Sequence, residues 1–272
     1  MVVAVGMLAL AGCATVPYTN RSQLMMMPVS DELALGADAY REVLSNAKVV
    51  RSPTLTTPVV AIGNRIAAVA ERPDYQWEFT VIDDPKQANA FALPGGKVAV
   101  YTGIFPVAQD TGALAAVMAH EVAHALARHG AERMSQQQLV QIGAIGLAVG
   151  LGGQSAAVRN TAMQAFGLGA QVGVMLPFSR SQEAEADHIG LILMAKAGYD
   201  PEYALKLWER MEQRNEGQSP PEWLSTHPGY GTRQANIRTW MPEAKGYYRA
   251  DPAVQITGLP AVPKAQAAAG RQ

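Results

Sequence analysis

The sequence predicts an α+β fold, mainly helical, with one small antiparallel β-sheet. Three observations carry this: four segments with apolar residues at helical spacing, three short runs with strand-like alternation, and a Pro-Gly-Gly turn joining two of those runs. The composition fits a chain with a sizeable core, at 49% hydrophobic and 17% charged over 272 residues. With 22 basic and 23 acidic side chains the net charge is −1, which excludes nucleic-acid binding by bulk positive charge and an acidic solvating tail. The single cysteine excludes an intramolecular disulfide and a Cys-based metal site.

In chain order, residues 2–12 are apolar and run into Cys13. The run is too short to span a bilayer, which takes roughly 20 residues, and suits the apolar centre of a signal peptide. Leu10-Ala11-Gly12-Cys13 resembles the bacterial lipobox, in which cleavage precedes the Cys and its thiol is acylated. Residues 1–12 then read as a signal peptide and Cys13 as a lipid attachment point at the membrane. Ala14 after the Cys resembles lipoproteins sent to the outer membrane, facing the periplasm of a bacterial cell envelope. No Lys or Arg precedes the apolar run, so the start or the signal is atypical; the alternative is a buried N-terminal element with an ordinary buried Cys.

Residues 13–29 read as a linker and 30–245 as the folded domain. Ser30 or Asp31 caps a helix to about Leu44, with Leu33, Ala37, Tyr40 and Leu44 on one stripe. Thr57-Pro58 has first-turn chemistry for a second helix to Ala70. Trp77, Phe79 and Val81 alternate with polar residues, and Ala90–Leu93 leads through Pro94-Gly95-Gly96 into a third strand, Lys97–Thr102. A helix from Asp110-Thr111 to His129 stops at Gly130. Ser135–Val158 carries no charge. It is expected as paired helices or a flap rather than a membrane-dipping hairpin, and contact of residues 139–176 with the membrane stays open. A further helix ends at Gly198, and residues 246–272, rich in Ala, Pro and Gln, read as a disordered tail.

The chemistry lies on two of these helices. His120-Glu121-Val122-Ala123-His124 places two imidazoles one turn apart on one face, within reach of one metal ion. Glu121, one position along, sets its carboxylate beside the metal, where it can take a proton from an activated water. His129 lies about 140° round the helix from His124 and reads as structural or supporting. The spacing needed for a third histidine of the metzincin type is broken by Ala127 and Gly130. The better third ligand is Glu183, with Asp187 one turn on to accept a hydrogen bond from a ligand imidazole. Glu185 points about 200° away, toward solvent or a basic partner.

HEVAH followed by SRSQEAEADHIG resembles the HtpX, BepA and LoiP group of gluzincin metallopeptidases, relatives of the CAAX prenyl proteases and the Oma peptidases. The likeness runs over roughly residues 30–238. It includes Leu33-Ala34-Leu35-Gly36, Asn89-Ala90-Phe91-Ala92 and Thr226-His227-Pro228 with Arg233. It implies a zincin-like metalloprotease domain with one Zn2+ per chain. His120, His124 and Glu183 would be its ligands, and Glu121 the catalytic base. His227 and Arg233 would either stabilise the oxyanion, or His227 would close the fourth zinc position as an inhibitory switch; by itself His227-Pro228 is a turn or helix cap.

The membrane spans of the HtpX type and the helical repeats of the BepA type have no counterpart here, so the LoiP-type lipoproteins are the nearer likeness. The expected function is zinc endopeptidase action on unfolded or misassembled envelope proteins. Residues Asn89, Ala90, Phe91 and Ala92 would hold extended substrate by its backbone. The rival is a non-proteolytic or latent zinc-bearing chaperone for outer-membrane protein assembly. Nucleic acid is not an expected partner.

Overall fold

The computed structural model describes residues 13–158, 160–161, 180–215, 223, 227 and 230–262. Its centre is α4 (Thr111–Leu126), in which every residue is buried. The sequence explains this: Ala and Gly fill much of the helix, so neighbours approach on all sides. Asp110 caps it by accepting the Ala113 N–H at 2.8 Å.

Around α4 pack α2 (Pro53–Val69), the short α3 (Phe105–Ala108), α6 (Arg180–Lys196) and α7 (Glu202–Asn215), while α8 (Tyr230–Tyr247) covers α6 and α7. Helix α6 crosses α4 closely at Gly190. A methyl group on Gly190 would lie 3.1 Å from the His120 backbone nitrogen and 3.2 Å from its Cα. Gly190→Ala should therefore push α6 off the helix that carries His120, destabilising by about 1–3 kcal/mol. Chemical denaturation would register this, and an unchanged midpoint would mean that the crossing yields freely.

Strands β3 (Glu78–Ile82), β4 (Ala90–Leu93) and β5 (Lys97–Tyr101) form one sheet in the order β3-β5-β4. The hairpin β4–β5 is antiparallel, turning at Gly95 and Gly96 with φ of 84° and 83°. Strand β3 pairs with β5 in parallel, so the sheet is mixed. Tyr40 of α1 (Val29–Asn46) packs on Ile82 and Ala99 and donates to Thr80 Oγ1 at 2.6 Å.

Several boundaries differ from the sequence reading, each for a local reason. Helix α2 begins at Pro53, with Ser52 before it, and Pro58 lies inside the helix. Helix α4 ends at Leu126, because Arg128 and not Gly130 takes the left-handed conformation, at φ 54°. The strain is offset by an ion pair to the buried Glu32, Arg128 Nε to Oε2 at 2.6 Å. Residues 156–158 and 160–161 are helical again beyond a turn, and residues 162–179 lie outside the described residues; helix α5 itself starts at His129 and runs unbroken to Gly150. Its far half exposes Leu139, Ile142, Ile145 and Val149.

Where a linker is expected, residues 13–29 form an antiparallel hairpin, β1 (Cys13–Thr15) with β2 (Ser22–Leu24), docked against α5. The first 17 residues of the expected tail, 246–262, are likewise placed. Thr111 N–H donates to Thr257 O at 3.0 Å and Leu259 N–H to Gln109 O at 2.8 Å, while Arg65 pairs with Asp251. Hydrogen bonds to the α4 entry hold this segment, where composition alone reads as disorder. Among the described residues, no helix is long and apolar enough to cross a membrane. Residues 1–12 and 263–272 lie outside the described residues.

Candidate metal centre

Four buried side chains converge between α4 and α6: His120, His124, Glu183 and His227, with one ligand atom from each lying within 4.8 Å of all the others. His120 and His124 are one helical turn apart, and their Nε2 atoms sit 3.1 Å from each other. Glu183 Oε2 lies 3.6 Å from His120 Nε2, and Oε1 lies 3.5 Å from His124 Nε2. A tetrahedral dication with bonds of roughly 2.0–2.1 Å needs ligand atoms about 3.3 Å apart. The separations of 3.1, 3.5 and 3.6 Å, which reach Glu183 through a different oxygen for each histidine, bring the three side chains to about that spacing.

His120 Nδ1 is 3.0 Å from Asp187 Oδ1, a contact out of hydrogen-bond alignment, and Arg233 Nη2 lies 3.2 Å from the same Nδ1 and 3.4 Å from Nε2. His227 Nδ1–H donates to the Trp223 carbonyl at 2.9 Å, leaving its Nε2 lone pair 3.6 Å from Glu121 Oε1. Burial, with the Arg233 cation adding to it, holds His120 well below its ordinary pKa and His227 down to about 4. For His124 the causes are burial and then the neighbouring imidazoles. The imidazoles are therefore neutral at neutral pH, the form that binds a metal.

The carboxylates lack compensation of the same kind. Burial pushes Glu183 up to about 9 despite Arg233, and Asp187 and Glu121 nearby add to the rise. Both Glu183 oxygens are buried without a hydrogen bond. Arg233 Nη1 stands 2.9 Å from Oε2, a charge contact out of hydrogen-bond alignment. A dication would supply the missing positive charge, and on that ground the residues present fit a bound metal. Arg233 is itself 2% exposed. It donates to both oxygens of Asp187 at 2.6 Å, so one guanidinium braces Asp187 and Glu183 together.

Glu121 is the neighbour of these groups and stands apart from the ligand triangle. Trp223 Nε1–H donates to its Oε1 at 2.6 Å. Burial pushes its carboxyl up to about 8, against the lowering effects of Trp223 and Arg233.

Nine of the predicted residues fall at or beside this centre: His120, Glu121, His124, Glu183, Asp187, His227 and Arg233 in it, and Ala90 and Ala92 on the adjoining edge strand. Phe91 faces the other way, against Tyr101 and the Tyr40 cluster. Thr226 and Pro228 lie outside the described residues, and Cys13 is described by its backbone, in β1. His129 supports the centre from behind, with Nδ1 2.8 Å from His124 Nδ1. Glu185 is buried, 7% exposed, and paired with Arg21, not turned to solvent. Sequence reasoning missed Trp223, Arg21 and Glu132. None shares a helical period with the motif, and only the buried charge of Glu185 could have demanded a basic partner.

The sequence profile of peptidase family M48 matches residues 53–241. The chain is 41% identical over 235 residues to the mitochondrial metalloendopeptidase OMA1 of Schizosaccharomyces pombe, covering 85% of this chain and 67% of that protein. To the protein of the same name in Saccharomyces cerevisiae it is 32% identical over 250 residues, with coverages of 85% and 70%. To the beta-barrel assembly-enhancing protease of Escherichia coli it is 30% identical over 229 residues, covering 82% of this chain but only 46% of that protein. The matched span holds both metal-site helices, Trp223, His227 and Arg233, and on that match the chain belongs to peptidase family M48 and is a metalloendopeptidase.

Proposed function

We propose that the chain is a zinc endopeptidase of the bacterial envelope, anchored at the outer membrane through lipidated Cys13, that cleaves unfolded or misassembled envelope proteins. The carrying observation is the triangle of His120, His124 and Glu183 with the Glu121 carboxylate beside it. When bound, zinc would polarise the scissile carbonyl and bring the pKa of a water toward about 7. Glu121 takes the proton of the attacking water and returns it to the leaving amine. Asp187 flanks the His120 imidazole. Arg233 clamps Glu183 and Asp187, which leaves His227 as the group to meet a developing oxyanion.

The substrate would lie along β4. This strand is at the open edge of the sheet and packs against α4. Tyr101 N–H donates to Asn89 O, so alternation turns the backbone groups of Ala90 and Ala92 away from β5, toward that edge. Backbone pairing there tolerates many sequences and favours unfolded chains. Ala92→Pro removes one outward N–H and should lower casein cleavage about tenfold, on the scale of one lost hydrogen bond, while zinc content stays unchanged. Undiminished cleavage would remove β4 from the substrate path. The function itself is tested by stripping zinc with a chelator and restoring it: cleavage should vanish and return, and a zinc-loaded chain that never cleaves would refute a peptidase.

A second reading is a latent enzyme or a zinc-bearing chaperone for outer-membrane protein assembly. It is favoured by the placement of Trp223, whose indole N–H holds Glu121 while its backbone N–H donates to Ala88 O at 3.1 Å. The partner class follows the Escherichia coli relative, a beta-barrel assembly-enhancing protease.

A further inference from the structure

We propose that Glu185, His129 and Arg21 form a positioning relay that fixes the tautomer and orientation of His124, making the N-terminal hairpin part of the metal centre's support. The proposal rests on His124 being a zinc ligand, as in the reading above. Glu185 Oε2 lies 2.9 Å from His129 Nε2. An ionised carboxylate only accepts, so His129 carries its proton on Nε2 and leaves Nδ1 bare. That Nδ1 is 2.8 Å from His124 Nδ1, which must then be the donor. The remaining lone pair of His124 is on Nε2, the atom 3.1 Å from His120 Nε2 and 3.5 Å from Glu183 Oε1. Orientation thus passes through two imidazoles from a carboxylate that never approaches the metal site itself.

Glu185 is fixed by the hairpin. Its Oε1 accepts from Thr19 Oγ1, and its Oε2 accepts from Arg21 Nε at 2.9 Å. Arg21 also forks onto Glu132, with Nη1 2.7 Å from Oε1 and Nη2 2.9 Å from Oε2. Gln182 of α6 donates to the same Glu132 Oε2 at 2.7 Å. One arginine between β1 and β2 therefore joins a carboxylate on α5 to one on α6. Residues Thr19 and Arg21 lie in the turn between the strands, where Tyr18 and Asn20 both adopt positive φ. The turn is shaped to present these side chains to the interior. Hydrogen bonding of the far nitrogen of a ligand imidazole raises its basicity as well as fixing its ring, and losing such a partner costs about 10- to 100-fold in metal affinity.

The test uses the full chain in four forms: wild type, Glu185→Gln, Arg21→Ala and Arg21→Lys. Zinc affinity is measured by competition with a chromophoric chelator, and the absorption bands of the cobalt-substituted protein report ligand geometry. Glu185→Gln and Arg21→Ala should each raise the zinc Kd by about tenfold or more and shift the cobalt bands, and Arg21→Lys should recover most of the affinity. Unchanged affinity and cobalt spectrum in both would overturn the relay. A change in Glu185→Gln alone would overturn the part given to the hairpin. If Glu185→Gln does not fold, Arg21→Ala decides, since Arg21 is one-third exposed at its side chain. A wild-type chain that binds no zinc would instead overturn the zinc-site reading on which the relay rests.

Discussion

Glu121→Gln should reduce peptide-bond cleavage by about 10²–10⁴-fold, the usual contribution of a positioned general base, while the fold and the zinc content stay at wild-type levels. The substitution is close to isosteric, and the Gln carbonyl can still accept the Trp223 indole hydrogen bond that Glu121 Oε1 accepts at 2.6 Å. It also removes an ionisable group whose pKa burial raises to about 8, so the folded chain has one charge fewer to bury at alkaline pH. Activity loss with preserved metal and preserved thermal midpoint separates the chemical role of this residue from a structural one. A variant that cleaves casein at the wild-type rate would require another base, and no other carboxylate of the centre stands free of both the ligand triangle and the Arg233 clamp.

Arg233→Met should have the largest effect on stability, about 3–5 kcal/mol in the zinc-free chain. Its guanidinium is 2% exposed and donates to both oxygens of Asp187 while facing Glu183, so deleting it strips the buried Asp187 of two hydrogen bonds and its cation. Burial disfavours the arginine's own charge, yet Asp187 and Glu183 outweigh that and raise its pKa above the ordinary value. At the slope expected for a chain of this size the melting temperature should fall by about 10 °C. Zinc should recover part of the loss, because a dication against Glu183 replaces some of the missing positive charge. Scanning calorimetry with and without zinc checks both statements. A zinc-free variant that melts within about 2 °C of wild type would show that Asp187 had taken up a proton at little cost.

Much of the centre was legible because α-helical spacing is short-range physics. His120 and His124, and Glu183 and Asp187, are pairs at i and i+4, and a 3.6-residue period alone puts each pair on one face. The Pro-Gly-Gly hairpin was legible for the same reason, since its turn residues state their own conformation. Long-range complementarity was not legible. Trp223 meets Glu121 across 102 positions, and Arg21 meets Glu185 across 164, with no local pattern linking either pair. The polar segment 13–29 looks like a tether until two buried carboxylates are found waiting for its arginine. Arg128 shows the limit of propensity: glycine two residues later is the better left-handed residue, yet the ion pair to Glu32 decides the helix end.

The complete burial of α4 sets a time scale as well as a place. With no residue from Thr111 to Leu126 exposed, the amides around His120 and His124 cannot exchange with solvent by fraying of a surface helix. Their protection against deuterium should approach the free energy of global opening. With His120 and His124 on such a helix, a metal held by them would leave only when its neighbours part, so dissociation should follow the slow breathing of the whole core. The metal's residence time would then measure the cooperativity of the fold.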